Sequence, residues 1–297
     1  MRRLPLIAMT GVVAVGLSLS ACGSSSTPAE SPGAATPAGG GADPALVAKL
    51  PAKIKAAGKI IVGIDPTYAP NEILAADGKT VEGFDIDIFN AVAAKFGVTA
   101  EYQPSKFDAI ILGVTGGKYD VGVSSFSIND ERKKVVNMVS YYKAGTQWVV
   151  AKGNPKGVSI DDACGKNIGV QVGTTQLEDL TARDKTCKTA GKPGINMLVQ
   201  DGQDQVTADV ISGKADAMLA DSPVGLYAIK QTGDKLEALG DLYDSAPYGY
   251  VIPKDETDFA NAIVEALKAA KADGSYEAAL KKYSVEAGAI SDFALNP

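Results

Sequence analysis

The chain has 297 residues, 45% of them hydrophobic, and 35 acidic against 29 basic side chains give a formal net charge of −6. An acidic balance with no basic block excludes an electrostatic nucleic-acid binder. No histidine occurs anywhere, which removes Ser-His-Asp and Cys-His triads and histidine metal centres as the source of function.

In chain order, Arg2 and Arg3 precede a mostly apolar run from Leu4 to Leu19, and Ser20 and Ala21 lead into Cys22. That order reads as a secretory signal peptide over residues 1–21, too short to span a bilayer as a helix. The tetrad Leu19-Ser20-Ala21-Cys22 resembles the bacterial lipoprotein lipobox. The resemblance implies that Cys22 receives diacylglycerol and palmitate and holds the mature protein on the extracytoplasmic face of the cell membrane. Loss of residues 1–21, which carry two arginines and no acid, moves the formal charge from −6 to −8. Residues 22–42 are Ser, Thr, Pro, Gly and Ala with Glu30 the one charge. Such a segment cannot bury enough apolar surface to fold, so it reads as a tether.

The folded body is expected from Asp43. A short helical stretch to Ala57 precedes Ile60-Ile61-Val62-Gly63-Ile64, a buried strand by length and β-branching. Phe84, Ile88, Val92 and Phe96 fall at helical spacing, with Gly97 as the stop. A helix is expected over Phe107–Val114 and a strand over Tyr119–Ser125. The scheme repeats: strand Asn167–Val172, helix from Thr175, strand Ile195–Val199, helix Gln203–Ser212, strand Asp216–Ala220. Strands alternating with helices imply mostly parallel sheets covered on both faces. Gly117-Lys118-Tyr119-Asp120 and Gly213-Lys214-Ala215-Asp216 echo each other ahead of their strands. Segments near Tyr142–Val150 and Ser245–Ile252 would cross between two lobes, one of residues 43–144 plus 247–297 and the other of residues 145–246. Two crossings make a hinge. With Cys22 assigned to lipid, Cys164 and Cys187 remain as an even pair in an oxidising compartment. They read as a disulfide worth ~3 kcal/mol, with two buried thiols as the alternative.

A carboxylate and an ammonium on one carbon need a fork-shaped cation, N–H donors and an acid in one dry cleft. The strand ends supply each. Arg132, in Asn129-Asp130-Glu131-Arg132 after Ser124-Ser125-Phe126-Ser127, can give two parallel hydrogen bonds. Gly173-Thr174-Thr175-Gln176 opens a helix, whose N–H groups and dipole favour an anion. Asp221 suits an ammonium, and Asp65 and Tyr68 follow the first strand. Each has a structural reading as well: Arg132 paired with Asp130 or Glu131, Asp221 as a helix N-cap, Tyr68 and Phe107 as core. Asp85 and Asp87 look like a metal pair but read better as caps of the helix they begin. Asp77-Gly78-Lys79-Thr80 lacks the leading glycine of a P-loop and reads as a turn.

Taken together, Asp65-Pro66-Thr67-Tyr68-Ala69-Pro70, Gly83-Phe84-Asp85-Ile86-Asp87, the run Ser124 to Lys134, Tyr141-Tyr142 and Gly173 to Gln176 resemble the polar amino-acid-binding proteins of ABC importers, the family 3 extracellular solute-binding proteins. The resemblance covers Lys59 to Tyr283. It implies a periplasmic-binding-protein type II-like α/β fold, two lobes joined by a two-strand hinge, that captures a polar amino acid by closing. Arg132, Ser127 and Thr175, with Thr174 beside them, match the α-carboxylate clamp; Asp221 and the Ser125 carbonyl match the α-ammonium site. Tyr68 and Phe107 match aromatic walls, and Asp65 the acid at the side-chain tip. Gln176 and Ser124 match polar lining of the lysine/arginine/ornithine branch. Asn71 and Glu72 depart from the family pattern, and Glu72 stands as a second acid that favours a cationic ligand. Gln171 and Ala220 depart from glutamine binders. The resemblance implies a monomer with no cofactor, metal or catalytic residue of its own, served by a separate permease and ATPase. The alternatives are a glutamine-specific binder, a cyclohexadienyl-dehydratase-like lyase with Glu72 as acid or base, and a ligand sensor.

Overall fold

The computed structural model describes residues 41–297. The expected signal peptide, the lipid attachment at Cys22 and nearly all of the tether lie outside the described residues. Helices α1 (Pro44–Lys49) and α2 (Ala52–Ala57) lead into strand β1 (Lys59–Ile64). They are two helices rather than one stretch because Pro51 forces Leu50 into an extended conformation. Strands β2 (Thr67–Tyr68), β3 (Glu72–Leu74) and β4 (Val81–Glu82) form a small antiparallel sheet. Then come α3 (Phe84–Lys95), β5 (Thr99–Pro104), α4 (Phe107–Thr115), β6 (Val121–Ser127) and α5 (Asp130–Val135). The 16-residue β7 (Val136–Ala151) crosses to β8 (Asn167–Gln171), α6 (Thr175–Thr189), β9 (Asn196–Gln200), α7 (Gln203–Ile211), β10 (Ala217–Asp221) and α8 (Ser222–Thr232). The 18-residue β11 (Leu236–Pro253) runs back, followed by α9 (Thr257–Ala272) and α10 (Ser275–Tyr283).

Eight strands form one sheet in the order β5-β1-β6-β11-β7-β10-β8-β9. The outer pairs on each side, β1 with β5 and β6, and β8 with β9 and β10, are parallel as expected. The long strands β7 and β11 pair antiparallel with each other and with β10 and β6. The two expected sheets are therefore joined into one by the crossing strands, which begin earlier than their apolar runs suggest. Buried side chains still cluster by half. Phe84, Ile88, Val92 and Phe96 of the α3 face pack with Phe259, Ile263 and Leu267. Trp148, Ile168, Val170, Leu180 and Leu219 form a separate cluster on the other side. Cys164 and Cys187 are bridged, with Cα atoms 5.6 Å apart, which ties the loop before β8 to α6.

The internal echo has a structural meaning. Asp120 Oδ2 accepts from the Ile61 N–H at 2.8 Å, and Asp216 Oδ2 accepts from the Asn167 N–H at 2.9 Å. Each aspartate thus takes an N–H of the neighbouring parallel strand one residue before its ladder with β6 or β10 begins. Gly117 and Gly213 make the left-handed turns that precede them, at φ 73° and 76°. Asp77 is a turn residue, as expected, its carboxylate accepting from the N–H groups of Lys79 and Thr80.

Candidate binding cleft

The carboxyl ends of β1, β6, β8 and β10 converge from both halves, the place where open α/β sheets build sites. Their walls meet around a cavity of about 10 Å³, room for about one water molecule. The two halves are closed on each other, and the polar groups between them are satisfied mostly by one another.

Arg132 sits in α5, a six-residue helix that Asn129 caps by accepting the Arg132 N–H. Asp130 and Glu131 are taken by Lys133 and Lys134 one turn on, so the surface pairing expected as an alternative for Arg132 does not form. Its guanidinium turns inward, donating to the Ser127 carbonyl at 2.8 Å and across the cleft to the Gly173 carbonyl at 3.1 Å. It lies over the stacked rings of Phe107 and Phe126, whose centroids are 4.6 Å apart. Burial lowers its pKa, and Glu178 and Asp221 oppose that. Both acceptors are neutral carbonyls, so the fork is free to exchange them for a carboxylate. Facing it, Thr174 caps α6 by accepting the Leu177 N–H, with Thr175 and Gln176 in the first turn.

Asp221 is the residue before α8, the N-cap position, yet its side chain makes no capping bond. It reaches into the cleft instead, accepting from Tyr68 OH at 2.8 Å and Gln176 Nε2 at 2.8 Å. Burial raises its pKa, and the nearby Tyr248 hydroxyl, the hydrogen bonds from Tyr68 and Gln176 and the Arg132 charge hold it down. On the opposite side, Asp65 accepts from the Thr67 hydroxyl and N–H and from Gln171 Nε2. Burial raises the Asp65 carboxyl as well, opposed by those same bonds. The Gln171 Oε1 atom is buried with no hydrogen-bond partner.

Nine of the expected residues line the cavity: Tyr68, Phe107, Ser125, Ser127, Arg132, Thr174, Thr175, Gln176 and Asp221. Gln171 lines it too; its place at the end of β8, as Asp221 ends β10, is the sequence signal that could have assigned it. Asp65 and Ser124 stand one step behind, Asp65 through Gln171 and Ser124 by accepting the Asp65 N–H. Glu72 is not at the cleft: it is fully buried in β3, beside Asp85 and Ser124. Asp85 does not cap α3; it is fully buried and accepts from the Ser125 N–H and hydroxyl and from Tyr141 OH. Asp87 is bound by Lys282.

A family model, bacterial extracellular solute-binding proteins of family 3, matches residues 60–286. The chain belongs to this family. Among curated relatives, this solute-binding protein is 29% identical over 254 residues to an arginine-binding protein of Corynebacterium glutamicum, covering 85% of this chain and 83% of that one. It is 32% identical over 232 residues to the lysine/arginine/ornithine-binding periplasmic protein of Escherichia coli, covering 75% and 86%. A solved ancestral arginine-binding protein bound to arginine matches with a TM-score of 0.69 and 33% identity, over 76% of this chain and 98% of that one. An ancestral amino-acid-binding protein described as a precursor of cyclohexadienyl dehydratase matches with a TM-score of 0.70 and 30% identity, over 78% and 97%. These structures bear out the type II α/β fold expected from the sequence.

Proposed function

We propose that this solute-binding protein captures a free cationic L-amino acid, arginine, lysine or ornithine, between its halves and delivers it to the permease and ATPase of an ABC importer. One observation carries the reading. Arg132 and Asp221 line one closed cleft and Asp65 stands behind it through Gln171, each held in part by a partner that a ligand's own groups can replace. The α-carboxylate would take the Arg132 fork in place of the Ser127 and Gly173 carbonyls, near the α6 N-terminus. The α-ammonium would take Asp221 and the Ser125 carbonyl, with Tyr68 and Phe107 as walls. A cationic tip would displace the Gln171 amide from Asp65 and find the unpartnered Gln171 Oε1 beside it. Relatives named for arginine and for lysine/arginine/ornithine support that assignment.

A cavity of about 10 Å³ admits no amino acid, so loading requires the lobes, residues 43–144 plus 247–297 and residues 145–246, to part along β7 and β11. Glutamine is the second reading, because an amide of the protein itself already satisfies Asp65. The lyase reading is weakened by the burial of Glu72, since a general acid or base must reach its substrate directly or through one water. Export, a diacylglycerol anchor at Cys22 and a monomeric state complete the proposal; Cys22→Ser should release the protein from the membrane fraction, and an unchanged fraction would contradict the anchor. For the ligand, a thermal-shift profile against the standard amino acids and ornithine is decisive, because a ligand bound only by the folded state raises its melting temperature. The largest shifts are expected for arginine, lysine and ornithine. A larger shift with glutamate would contradict the charge assignment.

A further inference from the structure

Glu72 and Asp85 are both fully buried, on β3 and at the start of α3. The approach is tight: the Asp85 N–H donates to the Asn71 carbonyl, and a Cβ on Gly83 would lie 1.9 Å from that oxygen. Among the described residues no lysine or arginine bonds either carboxyl. The titratable groups near the pair are Asp65 and tyrosines: Glu72 bears electrostatically on Tyr68, Tyr141 and Tyr250, and Asp85 on Tyr102, Tyr141, Tyr142, Tyr250 and Tyr276. Burial raises each of these tyrosines, so they are neutral. Two carboxylates cannot both ionise there without a cation.

The hydrogen bonds say where a single proton belongs. Asp85 Oδ2 accepts three donors, the Ser125 N–H, the Ser125 hydroxyl and Tyr141 OH, as an anion would. Asp85 Oδ1 and both Glu72 oxygens are buried without a settled hydrogen-bond partner, with the Asp85 and Ser124 side chains beside Glu72. A proton on Glu72 directed at Asp85 Oδ1 satisfies the two carboxyls together. Burial first, and then the Asp85 charge, hold the Glu72 pKa well above its ordinary value.

The pair acts on the cleft through Ser125. That residue has φ 50°, a left-handed conformation that a side chain disfavours. Its hydroxyl donates to Asp85 and accepts from Asn71 Nδ2 at 2.7 Å. With side chain and N–H committed inward, Ser125 presents its backbone to the cavity it lines. We propose that Glu72 and Asp85 are a proton-sharing carboxyl pair that holds Ser125 in this conformation and so positions the ammonium side of the cleft. The positioning role rests on the amino-acid reading above; the shared proton does not.

Infrared spectra and urea unfolding of the full chain test the proton without any ligand. At neutral pH the carbonyl stretch of a protonated carboxyl is expected, and it should vanish in Glu72→Gln, which keeps a donor to Asp85 but carries no acid. The folded state keeps a proton that the unfolded chain releases above about 4.5, so stability falls as pH rises from there toward the folded pKa. Relative to Glu72→Gln, the wild-type unfolding constant should rise by up to about tenfold per pH unit in that window. A band that persists in Glu72→Gln, or equal pH slopes, overturns the shared proton. Arginine binding then tests positioning: Glu72→Gln should bind within about threefold of wild type and Glu72→Leu at least about tenfold more weakly. Equal affinity in all three overturns the positioning role, whereas absence of arginine binding by the wild type overturns the functional reading alone.

Discussion

Asp120 ahead of β6 and Asp216 ahead of β10 do the same work in the two halves, each accepting an N–H of the parallel strand beside it, from Ile61 and Asn167. At the other end of those strands the likeness stops. Strand β10 ends in Asp221, whose carboxylate enters the cleft between Tyr68 and Gln176. Strand β6 ends in Ser124–Ser127, where Ser125 turns its side chain inward onto Asp85 and leaves its backbone outward. Strand β10 places its acid in the site; strand β6 keeps an acid pair behind it. Fold-level residues at the strand starts are thus repeated, and residues at the strand ends are free to differ.

The largest effect expected from breaking that division is at Arg132, whose guanidinium bonds to both halves of the cleft. Arg132→Ala should weaken arginine binding by about 2–5 kcal/mol, because the ligand carboxylate would be enclosed without its partner; calorimetry measures it, and a loss below a few tenths would place the carboxylate elsewhere. A smaller change, on stability alone, is expected at the repeated aspartates. Asp120→Ala and Asp216→Ala each leave a strand N–H unsatisfied and should cost about 1–3 kcal/mol in urea unfolding, with arginine affinity unchanged. Unequal effects on affinity would show that the strand starts are not interchangeable. The gentlest test is pH. Asp221 must be ionised to hold an ammonium, and burial raises its pKa. Affinity should therefore be level above that pKa and fall by up to about tenfold per pH unit as the pH drops through it. Asp221→Asn should bind weakly with a flatter profile.

Much of this was legible in the residues. Helical spacing at Phe84, Ile88, Val92 and Phe96 and the alternation of strands and helices located the core and the sheet halves. The expected cleft residues were placed from strand ends and helix starts, where topology constrains position. Asp85 and Glu72 were misplaced because local pattern could not reveal their burial. An aspartate in the first turn of a helix looks like a cap, and its partners Ser125 and Tyr141 lie 40 and 56 residues away. The join of two parallel arrays into one sheet was hidden for a similar reason, since β7 and β11 pair along lengths that run well beyond the expected crossings.

The central claim is that the cleft recognises a positive charge at the ligand's tip, opposite its carboxylate and ammonium. Calorimetric titration with L-arginine and with L-citrulline, its neutral isostere, isolates that charge. Arginine is expected to bind one to one and at least about thirtyfold more tightly than citrulline, the difference Asp65 supplies when a buried charge pair forms. Equal affinities, or heat from citrulline alone, would contradict it.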